Sequence, residues 1–470
     1  AGLANVFNIQ NLSNSPKTTR LQEGWREQTQ SVFGSAEVGF KGTYYLTVTA
    51  RNDWPSQLAG PHSNRKSFFY PSVGASVVIS EIIPNMPQNL EYIKLRTSYA
   101  SVGTAFARYI ANPQYKWDVS NLGWNVQTLY PVYDLKPELT NSLEVGLTVR
   151  FLKDFNLDVT YYHTNTLNQT FSPQISTGSG SSEIYIQSGN VRNQGVELAL
   201  GFNHTWGNFR WDTNYTLSSN ENKIMSLADN VLNPATGEYF SVDQLDMNGI
   251  GQAHFVLRKG GTLGDLYSLT DFQYDSNGDI YVKEDGTIAT KNIEKAADYI
   301  KLGSVLPKAN MSWRNDFRVG NFNFGFLITA RLGGIVYSST QAYLDYYGVS
   351  EASAAARDAG GFVVNGSDWV DANKWYSTVG GSNPIPTAYT YSATNVRLQE
   401  ASIGYTFPRK MLGDVCDLTL SLIGRNLWMI YNKAPFDPEA VATTGNYYQG
   451  IDHFMMPSLR NFGFNVRITF

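Results

Sequence analysis

The sequence has almost no cysteine, little charge and no long apolar run. Cys416 is the single cysteine in 470 residues. An intrachain disulfide framework and a cysteine-based metal cluster are therefore excluded. Charged residues make up 16 %, and the formal net charge is −4, which argues against a nucleic-acid partner. No stretch of about eighteen apolar residues occurs, so a transmembrane helix is not expected. The five histidines, His62, His163, His204, His254 and His453, are scattered and form no metal-spaced pair. Serines are plentiful but no nucleophile-elbow signature surrounds any of them. No metal, cofactor or catalytic residue is expected on these grounds, so the reading is not that of an enzyme. The opening Ala1-Gly2-Leu3-Ala4-Asn5 lacks the basic and apolar regions of a signal peptide. Either that segment has been removed or the chain begins partway through a longer product.

Aromatics and alternation are abundant. Aromatic residues reach 14 %, with 29 Tyr and 25 Phe, while the mean hydropathy is only −0.28. A transmembrane β-barrel has this profile, because polar lumen-facing residues dilute the lipid-facing ones. The last ten residues show the pattern most clearly. Phe462, Phe464, Val466, Ile468 and Phe470 fall on one face, and Asn461, Gly463, Asn465, Arg467 and Thr469 on the other. A soluble sheet can show the same alternation in one strand, so its recurrence decides.

It recurs at 28–40, 43–52, 68–80, 92–103, 141–152, 154–165, 193–205, 209–220, 309–319, 322–332, 396–407 and 415–426. The reading counts about fourteen strands in all, with short and long connections in strict alternation. The short ones are 41–42, 81–91, 153–154, 206–208, 320–321 and 408–414. The long ones are 53–67, 104–140, 166–192, 221–308, 333–395 and 427–460. Outer-membrane barrels have short periplasmic turns and long extracellular loops. With Phe470 at the periplasmic end, every short connection lies on the periplasmic side. The expected fold is thus an all-β, antiparallel transmembrane barrel in a bacterial outer membrane, in contact with its lipid.

Within the long loops, 351–359 has helix-forming composition, and 272–290 reads as a small hairpin with turns at Asn277-Gly278 and Asp285-Gly286. The acidic run from Asp275 to Asp279 is not a calcium loop, because Ile280 stands where the EF-hand needs glycine. Residues 1–27 read as an outer loop entering a descending strand. A complete barrel starts at the periplasm, so upstream strands are expected. Without them the first and last strands leave backbone unpaired in lipid.

Several segments resemble the SusC/RagA family of TonB-dependent outer-membrane transporters of Bacteroidetes. They are Val32-Phe33-Gly34-Ser35-Ala36, Tyr45 to Trp54 (YLTVTARNDW), Ser67 to Val73 (SFFYPSV) and Leu135-Lys136-Pro137-Glu138 with Asn141 to Gly146 (NSLEVG). Further on come Gly189 to Glu197 (GNVRNQGVE), Ala401 to Pro408 (ASIGYTFP), Gly424-Arg425-Asn426-Leu427, Phe436-Asp437-Pro438-Glu439 and the final strand. The resemblance implies a barrel of about twenty-two strands. Residues 1–470 are then its C-terminal part. The plug domain, the TonB-interacting segment and the first strands would lie outside this chain. It also implies active import of oligosaccharides or oligopeptides. The partners would be a SusD-like surface lipoprotein as lid, the plug of the same protein and the TonB complex. An outer-membrane barrel enzyme and a passive porin are the alternatives.

Loop aromatics are the candidate contacts for ligand or lid: Trp54, Trp117, Trp124, Tyr346, Tyr347, Trp369, Trp375, Tyr447 and Tyr448, with Tyr115. Aromatic faces stack on sugar rings or peptide side chains and pack against a protein partner. The competing use is loop packing or the interfacial girdle. Lumen-facing charges that could steer ligand or hold the plug are Arg96, Arg210, Arg314, Arg318, Arg397, Arg425 and Arg467. The competing use is a solvated or paired lumen wall. Arg51-Asn52-Asp53-Trp54 and Asn190-Val191-Arg192-Asn193 read as structural fasteners where strands meet loops.

Overall fold

The computed structural model describes residues 24–59, 67–105, 108, 110, 116–118, 123–125, 129–130, 136–172, 183–232, 237–443, 445 and 448–470. One antiparallel sheet dominates. Its strands are β1 (Thr29–Phe40), β2 (Tyr44–Pro55), β3 (Phe68–Val78), β4 (Leu90–Thr104), β5 (Glu138–Phe151), β6 (Phe155–Phe171) and β7 (Ile186–Trp206). They continue with β8 (Phe209–Ser226), β9 (Ala309–Val319), β10 (Phe322–Leu332), β11 (Asn395–Phe407), β12 (Asp417–Asn432) and β13 (Asn461–Thr469). Each pairs with its sequence neighbours, so the sheet is a meander of thirteen strands. The twelve alternating segments and the terminal one each form one strand, so the wall has thirteen strands among the described residues and not about fourteen. Among the described residues β1 and β13 are the two edges, each with a single partner.

Register fixes the two faces, because directly opposite residues in an antiparallel pair project to the same side. From β13 to β11, Ile468 sits opposite Leu418, Val466 opposite Leu420 and Phe464 opposite Leu422. Phe407, Tyr405 and Ile403 follow on the same face. The face continues through Phe322 and Phe324 to Phe317, Trp211, Leu198, Val159, Leu147, Leu95, Val77 and Tyr44. These side chains stay uncovered by protein: Val38, Leu46, Phe322, Ile403, Leu422 and Phe464 are all exposed. The buried apolar clusters lie in the connections and the strand tops next to them, not between two sheets. A wall with its greasy side uncovered is what a lipid-facing barrel requires.

At the short-turn ends the apolar face becomes aromatic. Phe151 stacks on Phe155, Phe155 meets Phe202, Phe202 meets Trp211 and Trp211 stacks on Phe317, at centroid separations from 4.6 to 6.1 Å. Phe322 and Tyr405 extend the row at 4.9 Å. This is a girdle at the periplasmic interface. The turns are tight. Val319 pairs with Phe322 across Gly320-Asn321, and Gly320 takes φ 55°. Glycine at the first central position is what a II′ hairpin turn needs.

The strands outrun their alternating segments at the opposite end. β6 reaches Phe171, β7 starts at Ile186 and β8 reaches Ser226. Above the membrane no lipid face exists, so backbone pairing continues while the apolar period stops.

The long connections fold into a roof with its own core. The connections after β8, β10 and β12 contribute Phe255, Leu266, Val305, Tyr337, Val364, Val370, Ile385, Tyr389 and Ile451 to one buried cluster. Three short helices lie in the roof: α1 (Ser339–Tyr346), α2 (Glu351–Asp358) and α3 (Ala372–Val379). The helix expected at 351–359 is α2. It begins at Ser350, whose side chain caps the Ser353 N–H in a capping box. The expected hairpin lies between Thr270–Phe272 and Thr290–Asn292. Its Asp275 carboxylate accepts the Asn277 and Asp279 backbone N–H groups.

Candidate functional site

The inner wall carries the polar partners of the alternation. Arg96 on β4 reaches Asp158 on β6, two strands away, with N–O distances of 2.7 and 2.9 Å. The strand between, β5, presents Gly146, over which the guanidinium lies. A Cβ there would sit 2.5 Å from it. Thr148 and Thr160 each accept one further Arg96 hydrogen. The same device recurs one pair further on. Tyr162 on β6 crosses Gly195 on β7 and donates to Asn220 on β8 at 3.0 Å.

Next comes a ladder of charge. Arg210 grips Asp212 and Arg314 grips Asp316, each within its own strand at 2.7 Å. Glu400 on β11 accepts Arg425 at 2.9 Å and lies 3.7 Å from Arg314. Arg210, Arg314 and Arg425 remain about half exposed to the lumen. Arg318 donates to the Gly320 carbonyl, and Arg467 projects from the same face of β13, opposite Thr419.

Arg397 is different. It is 5 % exposed and held by Asp437 in a bidentate pair at 2.8 and 3.1 Å, with Glu439 at 3.1 Å. Phe436-Asp437-Pro438-Glu439 thus folds back over β11 and locks the roof to the wall. Ser458 also donates to Asp437. Burial raises the Asp437 pKa, but the Arg397 and Ser458 hydrogen bonds outweigh it and hold the carboxyl below its ordinary 3.8. Arg51 and Asp53 make a smaller fastener. Arg51 bonds Asp53 at 2.7 Å and Ser31 of β1 at 3.0 Å, while Tyr70 of β3 donates to Asp53.

The candidate aromatics separate by environment. Trp54 lies exposed on the outward face of β2, at the rim. Trp375 is packed in the roof between Phe272 at 5.7 Å and Phe362 at 5.2 Å. Tyr448 rests edge-on against Phe255. Tyr346, Tyr347 and Trp369 are exposed on the roof, and Trp124 is exposed in the connection after β4. The Trp117 backbone pairs with Trp124 in a short hairpin; its side chain, Tyr115 and Tyr447 lie outside the described residues.

Sequence reasoning missed the roof core and its buried carboxylate. Asp345 of α1 accepts Gln341 Nε2 and Ser350 Oγ. Burial first, then Asp345 nearby, push Tyr389 far above its usual pKa and Tyr391 up to about 12. The only linear signal is Ser350 ahead of Glu351, a cap before a helix. Among the described residues no group of three or more His, Cys, Asp or Glu side chains is placed to hold a metal.

A lipid-facing wall, a paired polar inner face, a periplasmic aromatic girdle and a folded extracellular roof define an outer-membrane β-barrel of the receptor type. The family model described as "TonB dependent receptor-like, beta-barrel" matches residues 3–300, well over half of the sequence, and the chain belongs to that family. It is 25 % identical to TonB-dependent receptor P3 of Formosa agariphila, over 94 % of this chain and 45 % of the relative. It is 26 % identical to TonB-dependent receptor P26 of the same organism, over 98 % and 48 %. The chain spans about half the length of the curated relatives it matches. The RagAB peptide importer in its "open-open" state superimposes with a TM-score of 0.73 at 17 % identity, over 94 % of this chain and 47 % of that one. The RagAB peptide transporter gives 0.71, also at 17 %, over 94 % and 48 %. The barrel expected from the SusC/RagA motifs is the fold that these structures share. The family places the chain among outer-membrane receptors rather than enzymes.

Proposed function

We propose that this chain is the C-terminal portion of the barrel of a TonB-coupled importer for oligopeptides or oligosaccharides, working with a SusD-like surface lipoprotein. The observation that carries the reading is the pairing of a polar, charge-laddered inner wall with a folded aromatic roof. A porin needs only the wall. A roof with its own core, locked to β11 through Arg397 and Asp437, suits a gate that must hold a lid. The two bare edges, β1 and β13, favour further strands between them, since unpaired backbone in lipid is strongly unfavourable. The charges of β8 to β12, with Arg467, favour a plug surface that meets them by charge-assisted hydrogen bonds.

Trp124, Tyr346, Tyr347 and Trp369 are the aromatics we assign to ligand or lid contact. Arg96 and Arg397 we assign to holding the wall, and Arg210, Arg314 and Arg425 to the plug face. RagAB carries the word peptide in its name, so peptide uptake is the first arm to test. The test is uptake of labelled oligopeptides and oligosaccharides by cells carrying the full-length protein, with and without a functional TonB complex. Energy-dependent accumulation of one class, with a co-purifying surface lipoprotein, is expected. Equal flux with and without TonB would make the protein a passive pore. Conversion of the ligand by the purified barrel would make it an enzyme.

A further inference from the structure

The outward face of β7 does not end with its apolar band. Trp206, His204, Phe202, Leu200, Leu198 and Val196 are followed on the same side by Gln194 and Arg192, and both ladders keep their register over this stretch. Arg192 stands directly opposite Lys223 of β8 on one side and Asn165 of β6 on the other. Two cations directly opposite on one face of a sheet repel each other. Neither side chain has a hydrogen-bond or ion-pair partner among the described residues. The acid nearest on that face, Glu221, is one rung lower and accepts Gln194 Nε2 at 2.7 Å.

The height of the pair matters. The apolar band on β7 runs ten residue steps from Trp206 to Val196, about 33 Å along the strand and about 23 Å along the membrane normal at the usual tilt. That matches the hydrocarbon band of such barrels. Arg192 lies four residues beyond it, about 9 Å higher, among the lipid headgroups.

We propose that Arg192 and Lys223, with Asn165 beside them, bind the headgroup phosphate of an anionic glycolipid in the outer leaflet. A phosphate between the two cations replaces their repulsion with charge-assisted hydrogen bonds, and the arginine fork can take two of its oxygens. The acyl chains of the same lipid then run down over Val196, Tyr161 and Leu198, which share that face. The pair faces away from the lumen, so the site is separate from any ligand path through the barrel.

The experiment uses the full-length protein in phosphatidylcholine nanodiscs doped with either bisphosphorylated lipid A or its dephosphorylated form, with retained glycolipid counted by native mass spectrometry. Wild type should retain the phosphorylated form several-fold better. The double variant Arg192→Gln with Lys223→Gln should lose that preference while keeping its heat-modifiable barrel mobility. The exchange Arg192→Lys with Lys223→Arg should keep the preference. Equal retention of the two lipids by wild type would overturn the proposal. So would an unchanged preference in the glutamine variant, or its full loss in the charge-keeping exchange. Displacement of the glycolipid by millimolar inorganic phosphate would show a free-phosphate site and overturn the lipid assignment.

Discussion

Single glycines decide how the inner wall is tied together. Gly146 is the gap through which Arg96 reaches Asp158, and a side chain there would overlap the guanidinium. Gly146→Val should therefore break the latch and lower barrel stability by about 1–3 kcal/mol, the usual range for overpacking. Urea unfolding in micelles measures it; an unchanged midpoint would remove the latch from the account. In the connection after β4, Trp124→Ala should weaken ligand or lid binding while the barrel stays folded. Unchanged uptake and complex formation would reject that role. Such residues were only partly legible in the sequence. Trp54, Trp124 and Trp375 look alike in a linear reading, yet one sits on the outer rim, one is exposed and one is packed. Their order along the chain carries no record of which face or layer each one joins.

Elements were legible wherever lipid imposes a period. Every alternating segment became a wall strand, because one face must be apolar and the other wet. Their extracellular extensions were not legible, since β6, β7 and β8 keep pairing where neither side meets lipid. The roof was legible only at α2 and at the hairpin near Asn277-Gly278, where a cap or turn is written locally. The Arg397–Asp437 pair, which joins residues forty apart in sequence, has no local signature. It is testable by substitution and by pH. Arg397→Met leaves Asp437 and Glu439 without their cation and should cost about 3–5 kcal/mol locally. Hydrogen exchange across 432–458 should rise accordingly. Asp437 titrates below its ordinary 3.8 in the folded protein, so its contribution is complete above that value. It is lost as pH falls through the lowered one. Protection of this segment, relative to the intrinsic exchange rate at each pH, should stay flat from neutral pH down to about 4 and fall only below it. A fall beginning near pH 6 would point to another group.

At the scale of the molecule, the chain is a barrel wall with two open edges and a roof over it. Among the described residues the edge strands β1 and β13 have one neighbour each, so their outward N–H groups should exchange quickly when this chain is studied alone. In the full-length protein they should be protected. Fast exchange of 29–40 and 461–469 in both settings would contradict closure by further strands. The wall's two-sidedness is the claim on which everything else rests. It is tested most directly by site-directed spin labelling along β12, after Cys416→Ser, at Leu418, Thr419, Leu420, Ser421 and Leu422 in reconstituted vesicles. The account predicts that labels at 418, 420 and 422 collide with dissolved oxygen in lipid. Those at 419 and 421 should collide with a water-soluble nickel reagent. Uniform accessibility along the strand, or the opposite phase, would contradict it.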